Sequence, residues 1–298
     1  MLSQETGLIQ TECVNPRTSD IDTLSTQGIL EQINQEDQSV ALAVAKAIPQ
    51  ITPVVDAVVN AFNHNNHLFY IGAGTSGRLG VLDAAECPPT FSTDPQLVQG
   101  IIAGGDHALK HAIEGAEDSA ETGHKAIEEF GLRAGDVLIG LSASGSAQYV
   151  QSALLAAKEK GCITSCITCA QNSPLLPLVD WPILVETGPE VITGSTRMKA
   201  GTAQKLVLNM ISTTAMIQWG KTYGNLMVDV KATNNKLRQR AIRLVSQLGK
   251  CNESEAVLGL EQAQWQVKSA IVMLTLDISY AEAQKKLKST GGKLKPLL

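Results

Sequence analysis

Five short apolar runs, with turns and four amphipathic stretches between and after them, dominate the middle of this 298-residue chain. The runs cover residues 68–71, 98–103, 137–141, 163–168 and 183–186, and the amphipathic stretches cover 78–86, 119–130, 147–160 and 198–219. Short apolar runs bounded by turns predict buried strands, and a 3.6-residue period predicts helices. Strands that alternate with helices predict an α/β fold, in which helices cover both faces of a parallel sheet as a three-layer sandwich.

The two ends of the chain lack this alternation. Apolar residues at helical spacing predict N-terminal helices up to about residue 62, punctuated by Pro49 and Pro53. After residue 230 the strand pattern stops, and 234–248, 253–261, 264–276 and 279–287 are expected to be helices. We therefore predict an N-terminal helical segment (1–62) that packs on the central domain, an α/β domain (63–230) and a small helical C-terminal domain (231–298).

Composition narrows the class of protein. Hydrophobic residues make up 44% and charged residues 18%, which is ordinary for a globular protein, and the net charge of −5 argues against a nucleic-acid surface. No apolar run approaches the roughly 18 residues of a membrane span, and the first seven residues lack the features of a signal peptide. We expect a cytoplasmic protein that binds neither nucleic acid nor membrane.

Three cysteines lie in or directly beside the fourth apolar run, which raises the question of a zinc site. Strand alternation would put Cys162 and Cys166 on one face and Cys169 on the other, and no matching histidine pair follows. Free cysteine packs as a small hydrophobic side chain, so buried thiols are favoured over zinc ligands.

Two glycine- and hydroxyl-rich turns follow the first and third predicted strands, at residues 74–77 and 142–146. Glycine lets the backbone approach an anion closely, and small hydroxyls add neutral donors. Both turns lie at the carboxyl ends of strands, where ligands bind in parallel sheets. We interpret them as a phosphate site, although tight strand-to-helix turns need glycine in any case, and neither turn is a P-loop or a dinucleotide fingerprint.

A third polar block opens the helix predicted from residue 198. Arg197 and Lys199 stand in its first turn, where a cation is electrostatically unfavourable unless an anion lies nearby. This indicates an anionic ligand, and solvated cations on an exposed turn are the alternative. Together, the three blocks give the expected ligand contacts: Gly74, Thr75, Ser76, Gly77, Arg78, Ser142, Ser144, Gly145, Ser195, Thr196 and Lys199.

Two acidic positions are candidates for proton transfer. Glu86 falls in the last turn of a helix that is expected to begin near Gly77 and to end before Pro88, where a carboxylate opposes the helix dipole. Pairing with Arg78, or simple solvation, would explain it without any function. In the second acidic cluster Ser119 or Asp118 can cap the next helix, which leaves Glu114 and Glu117 unexplained.

Several long segments of the chain closely resemble the N-acetylmuramic acid 6-phosphate etherase family. They are residues 72–90, including Asp83-Ala-Ala-Glu86-Cys-Pro-Pro, and residues 103–105, 114–118, 193–210 and 224–230. The resemblance runs over nearly the whole chain in the same motif order. It implies a sugar-isomerase (SIS) domain, a homodimer, and no metal or nucleotide cofactor.

The resemblance also implies a reaction, cleavage of the lactyl ether of N-acetylmuramic acid 6-phosphate during recycling of cell-wall sugars. Glu86 matches the family residue that protonates the departing lactate and activates water, and Glu117 matches the second essential glutamate, the expected C2 base. The chain departs from the family at Ser146-Ala147-Gln148, where many relatives have Arg-Thr-Pro, which puts the phosphate partner in doubt. An aldose–ketose isomerase and a non-catalytic sugar-phosphate sensor are the alternatives.

Overall fold

The computed structural model describes residues 10–230, 232 and 234–298. These residues form two compact units, the first from the chain up to residue 85 together with 96–212, and the second from 86–95 together with 213–298. The predicted boundaries after residues 62 and 230 stay a prediction. Residues 1–9 of the predicted N-terminal segment, and residues 231 and 233, lie outside the described part of the chain.

The first unit is built on the parallel sheet that the sequence predicts. Its strands are β1 (Leu68–Gly72), β2 (Val98–Ile102), β3 (Val137–Leu141), β4 (Ile163–Thr168) and β5 (Trp181–Leu184), in the order β2-β1-β3-β4-β5. β5 begins two residues earlier than expected because Trp181, an exposed edge residue, pairs with Ser165. The chain moves from β1 to β2 on one side and to β3 on the other, so β1 and β3 flank the point where strand order reverses.

Helices cover both faces of this sheet. They are α1 (Thr26–Asn63), α2 (Gly74–Phe91), the single turn α3 (His107–Lys110), α4 (Ala120–Glu129), α5 (Gln148–Glu159) and α6 (Lys199–Gln218). Alternate strand residues, such as Phe69 and Leu138, pack with α4 and α5 in one core cluster. Tyr70 faces the opposite side and donates to Asp83 of α2. The predicted three-layer α/β architecture is confirmed.

Helix α1 is longer and more continuous than expected. It runs through Pro49 and Pro53 without a break and buries a stripe that includes Val40, Val44 and Ile51. Among the described residues it alone is long and apolar enough to cross a membrane, with a mean hydropathy of 1.5 over an 18-residue window. One such helix is weak evidence for a span, because the core helix of a globular protein passes the same test.

Helix α2 differs from its prediction at both ends. It starts at Gly74 rather than near Gly77, so the hydroxyls of Thr75 and Ser76 belong to its first turn. It also continues past Pro88 and Pro89 to Phe91, although the two prolines remove N–H donors from its last turns. The expected end before Pro88 is therefore wrong.

The second unit contains the C-terminal helices that the sequence predicts. It contains α7 (Asn235–Gly249), α8 (Glu253–Gln262), α9 (Val267–Leu276) and α10 (Tyr280–Ser289). Capping boxes start α8 at Asn252 and α10 at Ser279. α9 begins three residues later than predicted because Gln264 and Trp265 adopt left-handed φ angles of 53° and 60°.

Candidate functional site

A cavity of about 180 Å³ lies in the first unit, where the carboxyl ends of β1 and β3 meet. It is lined by Ala73, Gly74, Thr75, Ser76, Glu117, Leu141, Ser142, Ala143, Ser144, Ala147 and Thr196. Seven of the thirteen predicted site residues are among them, and they come from four separate parts of the sequence. The cavity occupies the point of strand-order reversal, as the rule for open α/β sheets predicts.

The first wall of the cavity is the start of α2. The helical ladder begins with the Gly77 N–H, which donates to Ala73 O at 3.1 Å and leaves the preceding N–H groups outside the ladder. A side chain at Gly77 would lie 2.6 Å from Gly72 O and 2.7 Å from Ile102 Cγ1, so only glycine lets α2 start this close to β1. The result is a helix N-terminus at the cavity wall, where backbone N–H groups and two hydroxyl groups lie at a position that suits an anion.

The second wall is the turn after β3, which its own hydrogen bonds hold in place. The Gly145 N–H donates to Ser142 Oγ at 3.0 Å, and the Ser144 and Ser146 hydroxyls lie 2.8 Å apart. Gly145 has a φ of +82°, and a Cβ there would lie 1.9 Å from Ser173 Oγ. Ser142 and Ser144 line the cavity, whereas Gly145 sets the shape of the turn.

The start of α6 contributes Thr196 to the cavity but turns Lys199 away from it. Lys199 is fully buried, and its Nζ lies 2.8 Å from Glu36 Oε2. Hydrogen bonds from Arg17, Lys199 and Asn15 outweigh burial and lower the pKa of Glu36 to about 2. The anion that accompanies Lys199 at the start of α6 is thus a carboxylate of the protein itself and not a ligand.

A second carboxylate completes the start of α6. Glu190 accepts the N–H groups of Lys199 and Ala200, each at 2.9 Å, and so satisfies two donors of the helix N-terminus. Burial raises the pKa of Glu190, and the two N–H bonds oppose that shift. These contacts explain a lysine in a first helical turn without any ligand.

Glu117 stands apart chemically from the other groups around the cavity. It lies in a single helical turn, Ala116–Asp118, after Gly115, whose φ is 71°. Ser119 accepts the Thr122 N–H and caps α4, as expected, so the N-cap does not account for Glu117. Of the residues that line the cavity in the described chain, Glu117 alone is ionisable, and a carboxylate among neutral donors can act as a general base.

The remaining predicted residues lie outside the cavity lining. Arg78 donates to the carbonyls of Leu109 and His111, so its hydrogen bonds go to these carbonyls rather than to Glu86. Gly77 packs under β1, and Ser195 lies half-buried in the turn before α6. Glu86 is exposed on α2 and belongs to the second unit.

Two buried polar residues of α2 and α6 were missed in the sequence. Gln204 of α6 accepts the Ser76 hydroxyl at 2.8 Å. Asp83 of α2 is buried and accepts hydrogen bonds from Tyr70, Asn209 and Ser212 at 3.0, 2.7 and 3.2 Å. Burial raises the pKa of Asp83, and these bonds oppose the shift. Both residues are polar at positions that helical periodicity places on a buried face, which is the signal that could have found them.

The described residues contain no group of three or more His, Cys, Asp and Glu side chains placed to hold a metal ion. Cys162 and Cys166 pack in the same core cluster of the first unit. Burial raises the pKa of Cys162 to about 11 and those of Cys166 and Cys169 to about 12. Protonated thiols at neutral pH are poor metal ligands, which favours the interpretation as core residues.

Comparison with known proteins identifies the family. An N-acetylmuramic acid 6-phosphate etherase from Edwardsiella ictaluri is 49% identical over 297 residues, which cover 100% of this chain and 99% of that one. The chain belongs to the N-acetylmuramic acid 6-phosphate etherase family. A second family member, from Geobacillus sp., is 48% identical over 284 residues, which cover 95% of this chain and 96% of its own.

Family models agree with the predicted fold. Residues 50–158 match the glucokinase regulatory protein N-terminal SIS domain, and residues 224–279 match the C-terminal lid domain of glucokinase regulatory protein. The SIS domain implied by the resemblance is therefore confirmed. Among solved structures, a phosphoheptose isomerase from Francisella tularensis aligns over 65% of this chain and 100% of its own, with a TM-score of 0.46 and 15% identity.

Proposed function

We propose that this protein is a carbon–oxygen lyase that cleaves the lactyl ether of N-acetylmuramic acid 6-phosphate into N-acetylglucosamine 6-phosphate and D-lactate. The observation that carries the proposal is the 49% identity to a relative of that name over the full length of both chains. The cavity supports it independently, because it combines an anion-binding helix start with a carboxylate.

The phosphate group would sit at the start of α2, among the hydroxyls of Thr75, Ser76, Ser142 and Ser144. No lysine or arginine lines the cavity within the described residues, so neutral N–H and O–H donors would hold the anion. Ser146 and Ala147 stand where many relatives have arginine and threonine, and here Ser146 pairs with Ser144. The cavity volume of about 180 Å³ is smaller than roughly 300 Å³, the lower end of the volumes of pockets that enclose a whole small-molecule ligand.

The chemistry requires acid and base catalysis in two stages, elimination of lactate and addition of water. In the open-chain sugar the C1 aldehyde acidifies the C2 proton, and Glu117 is the expected base that removes it. The electron pair then forms the C2–C3 double bond as the C3–O bond to lactate breaks, and Glu86 supplies a proton to the leaving oxygen. Water activated by Glu86 adds to C3, and a proton returns to C2, which completes the hydrolysis without a metal or nucleotide cofactor.

We further propose a cytoplasmic homodimer, active in recycling of cell-wall sugars, with its sites near the subunit interface. Glu86 is exposed and does not line the cavity that contains Glu117. In a two-fold dimer both subunits present the same surface at the interface, so an interface that includes α2 would contain this helix from each subunit. This arrangement would let Glu86 of one subunit complete the cavity of the other.

The direct test is incubation of the purified protein with N-acetylmuramic acid 6-phosphate and measurement of D-lactate. The wild type should release lactate, and Glu117→Gln and Glu86→Gln should lower kcat by at least about 100-fold, the usual contribution of a general acid or base. Glu114→Gln is the matched control, since Glu114 is exposed and absent from the cavity lining. Lactate release that neither active-site variant diminishes would refute the assigned roles.

Subunit mixing tests the shared site. Unfolded Glu86→Gln and Glu117→Gln chains refolded together at equal concentration should regain about a quarter of wild-type activity, because half of randomly paired dimers contain one intact site of two. If each site used both glutamates of a single chain, the mixture would stay inactive. A monomer by light scattering would also contradict the proposal.

The same preparations distinguish the alternatives. Interconversion of a sugar 6-phosphate without lactate release would indicate an aldose–ketose isomerase. Binding of sugar phosphates without turnover would indicate a sensor, a role related to that of glucokinase regulatory protein. Neither alternative accounts for the 49% sequence identity to an etherase over nearly the full length of both chains.

A further inference from the structure

A glutamine outside the cavity lining has a hydrogen-bonding arrangement that needs explanation. Gln204 is 1% exposed, and its Oε1 accepts the Ser76 hydroxyl at 2.8 Å. Its amide nitrogen, Nε2, is buried and has no hydrogen-bond partner within the part of the chain that the structure describes. Helix α6 packs closely against α2 at this point, because a Cβ on Gly201 would lie 3.5 Å from Thr75 Cγ2.

An unpaired buried donor is rare in folded proteins, so each instance points to a partner or a function. The other buried side-chain atoms without partners in the described chain are all oxygens, on Gln10, Thr11, Gln32, Thr93 and Thr187. Nε2 of Gln204 is the one nitrogen among them, and the residue it accompanies, Ser76, lines the cavity. The unsatisfied amide therefore sits directly behind a predicted ligand contact.

The hydroxyl of Ser76 has one hydrogen to give. When that hydrogen goes to Gln204 Oε1, Ser76 has nothing to donate to an anion in the cavity. Half a turn of the carboxamide exchanges Oε1 and Nε2, so that Gln204 donates to Ser76 Oγ and the hydroxyl hydrogen is free to point into the cavity.

We propose that Gln204 is a positioning residue for the phosphate of the substrate. With ligand present, Gln204 Nε2 donates to Ser76 Oγ, and Ser76 donates its hydrogen to a phosphate oxygen. This relay gives the amide nitrogen a partner and leaves the carbonyl oxygen in the unpartnered position, where a missing hydrogen bond is less rare than for an N–H donor. The inference rests on the proposed function to the extent that the cavity binds a phosphorylated sugar, and it adds the residue that sets the polarity of the Ser76 contact.

Three variants separate a relay from a structural contact. Gln204→Glu keeps the shape, but an ionised carboxylate cannot donate, so Ser76 stays directed away from the ligand and a negative charge is added. Gln204→Met removes both functions and leaves Ser76 unconstrained. Gln218→Met, at an exposed position of the same helix, is the matched control.

The probes are inorganic phosphate and N-acetylglucosamine 6-phosphate, with binding measured by isothermal titration calorimetry. We expect binding about 3- to 10-fold weaker for Gln204→Met, the usual effect of one hydrogen bond, and more than about 10-fold weaker for Gln204→Glu. The melting temperature of ligand-free Gln204→Met should equal or exceed that of the wild type, because an unpaired buried amide is removed. In turnover, KM should rise while kcat stays close to the wild-type value.

A double-mutant cycle with Ser76→Ala tests whether Gln204 acts through Ser76. In the Ser76→Ala background, Gln204→Met should have no further effect on binding, whereas two independent contacts would give additive losses. Additive losses, or wild-type affinity of Gln204→Met, would overturn the inference. So would a lowered melting temperature with unchanged affinity, which is the result of a purely structural role.

These outcomes are distinct from failure of the proposed function. If the wild type binds both probes in a Gln204-dependent manner but releases no lactate, the relay stands and the etherase activity does not. If the wild type binds neither probe, the relay is wrong, since the amide would face no anion. Lactate release with Gln204-independent binding would leave the activity intact and refute the relay.

Discussion

The buried ion pair at the start of α6 gives the sharpest stability prediction. Glu36→Gln removes the carboxylate that faces Lys199 Nζ at 2.8 Å, and both side chains are almost completely buried. Removing one partner of a buried pair typically costs about 3–5 kcal/mol, because the other charge is left uncompensated. The pKa of Glu36, lowered from 4.5 to about 2, gives a similar figure of roughly 3 kcal/mol at neutral pH.

The pH dependence follows from the direction of this shift. A carboxyl group whose pKa is lower in the folded state stabilises the fold above its unfolded pKa of 4.5, and that contribution is lost as the pH falls toward 2. The difference in unfolding free energy between wild type and Glu36→Gln should therefore shrink from about 3 kcal/mol at neutral pH to about 2 kcal/mol near pH 3.5.

Urea denaturation followed by circular dichroism measures both quantities. The control is Glu121→Gln, which breaks the exposed Lys125–Glu121 pair and should leave the midpoint unchanged. A loss of stability below about 1 kcal/mol for Glu36→Gln, or a loss that does not vary with pH, would show that the Glu36–Lys199 pair does not stabilise the start of α6.

Three further predictions concern the first unit. Gly145→Ala should lower the free energy of unfolding by at least about 3 kcal/mol, because the alanine would have a left-handed backbone and its new Cβ would also collide with Ser173. Gly131→Ala has a left-handed backbone but open space around the new Cβ, so it should lower this free energy by only about 1–2 kcal/mol. Thermal denaturation of the two variants makes the comparison. Burial raises the pKa of Asp83, so the wild type should lose stability relative to Asp83→Asn as the pH rises through that raised value, which urea midpoints from acid to neutral pH would reveal. The Cys162, Cys166 and Cys169 thiols should resist alkylation in the native protein and react after unfolding, as mass spectrometry of modified peptides can show.

The sheet was predictable because its signal is local. Each strand is a continuous apolar run bounded by turns, and the limits of β3 and β4 agree with the prediction residue for residue. The limits of α2 were less predictable, because the tertiary contacts of Gly77 with β1 let the helix start three residues earlier. Two prolines did not end it, since packing of the chain overrides the local preference.

The site was predictable in outline for a similar reason. The turns after β1 and β3 come together because parallel strands end at the same edge, and this fixes the positions of Ser76 and Ser142. The partner of Lys199 was not predictable, since Glu36 lies 163 residues away in the sequence. The same holds for Gln204, whose role depends on how α6 packs against α2.

The measurement that tests the central claim most directly is turnover of N-acetylmuramic acid 6-phosphate in H₂¹⁸O with mass analysis of the lactate. Elimination breaks the bond between C3 of the sugar and the ether oxygen, so lactate should keep its original hydroxyl oxygen and appear unlabelled. ¹⁸O in the lactate hydroxyl would mean that water attacked the lactyl carbon. That result, or the absence of lactate altogether, would contradict the account.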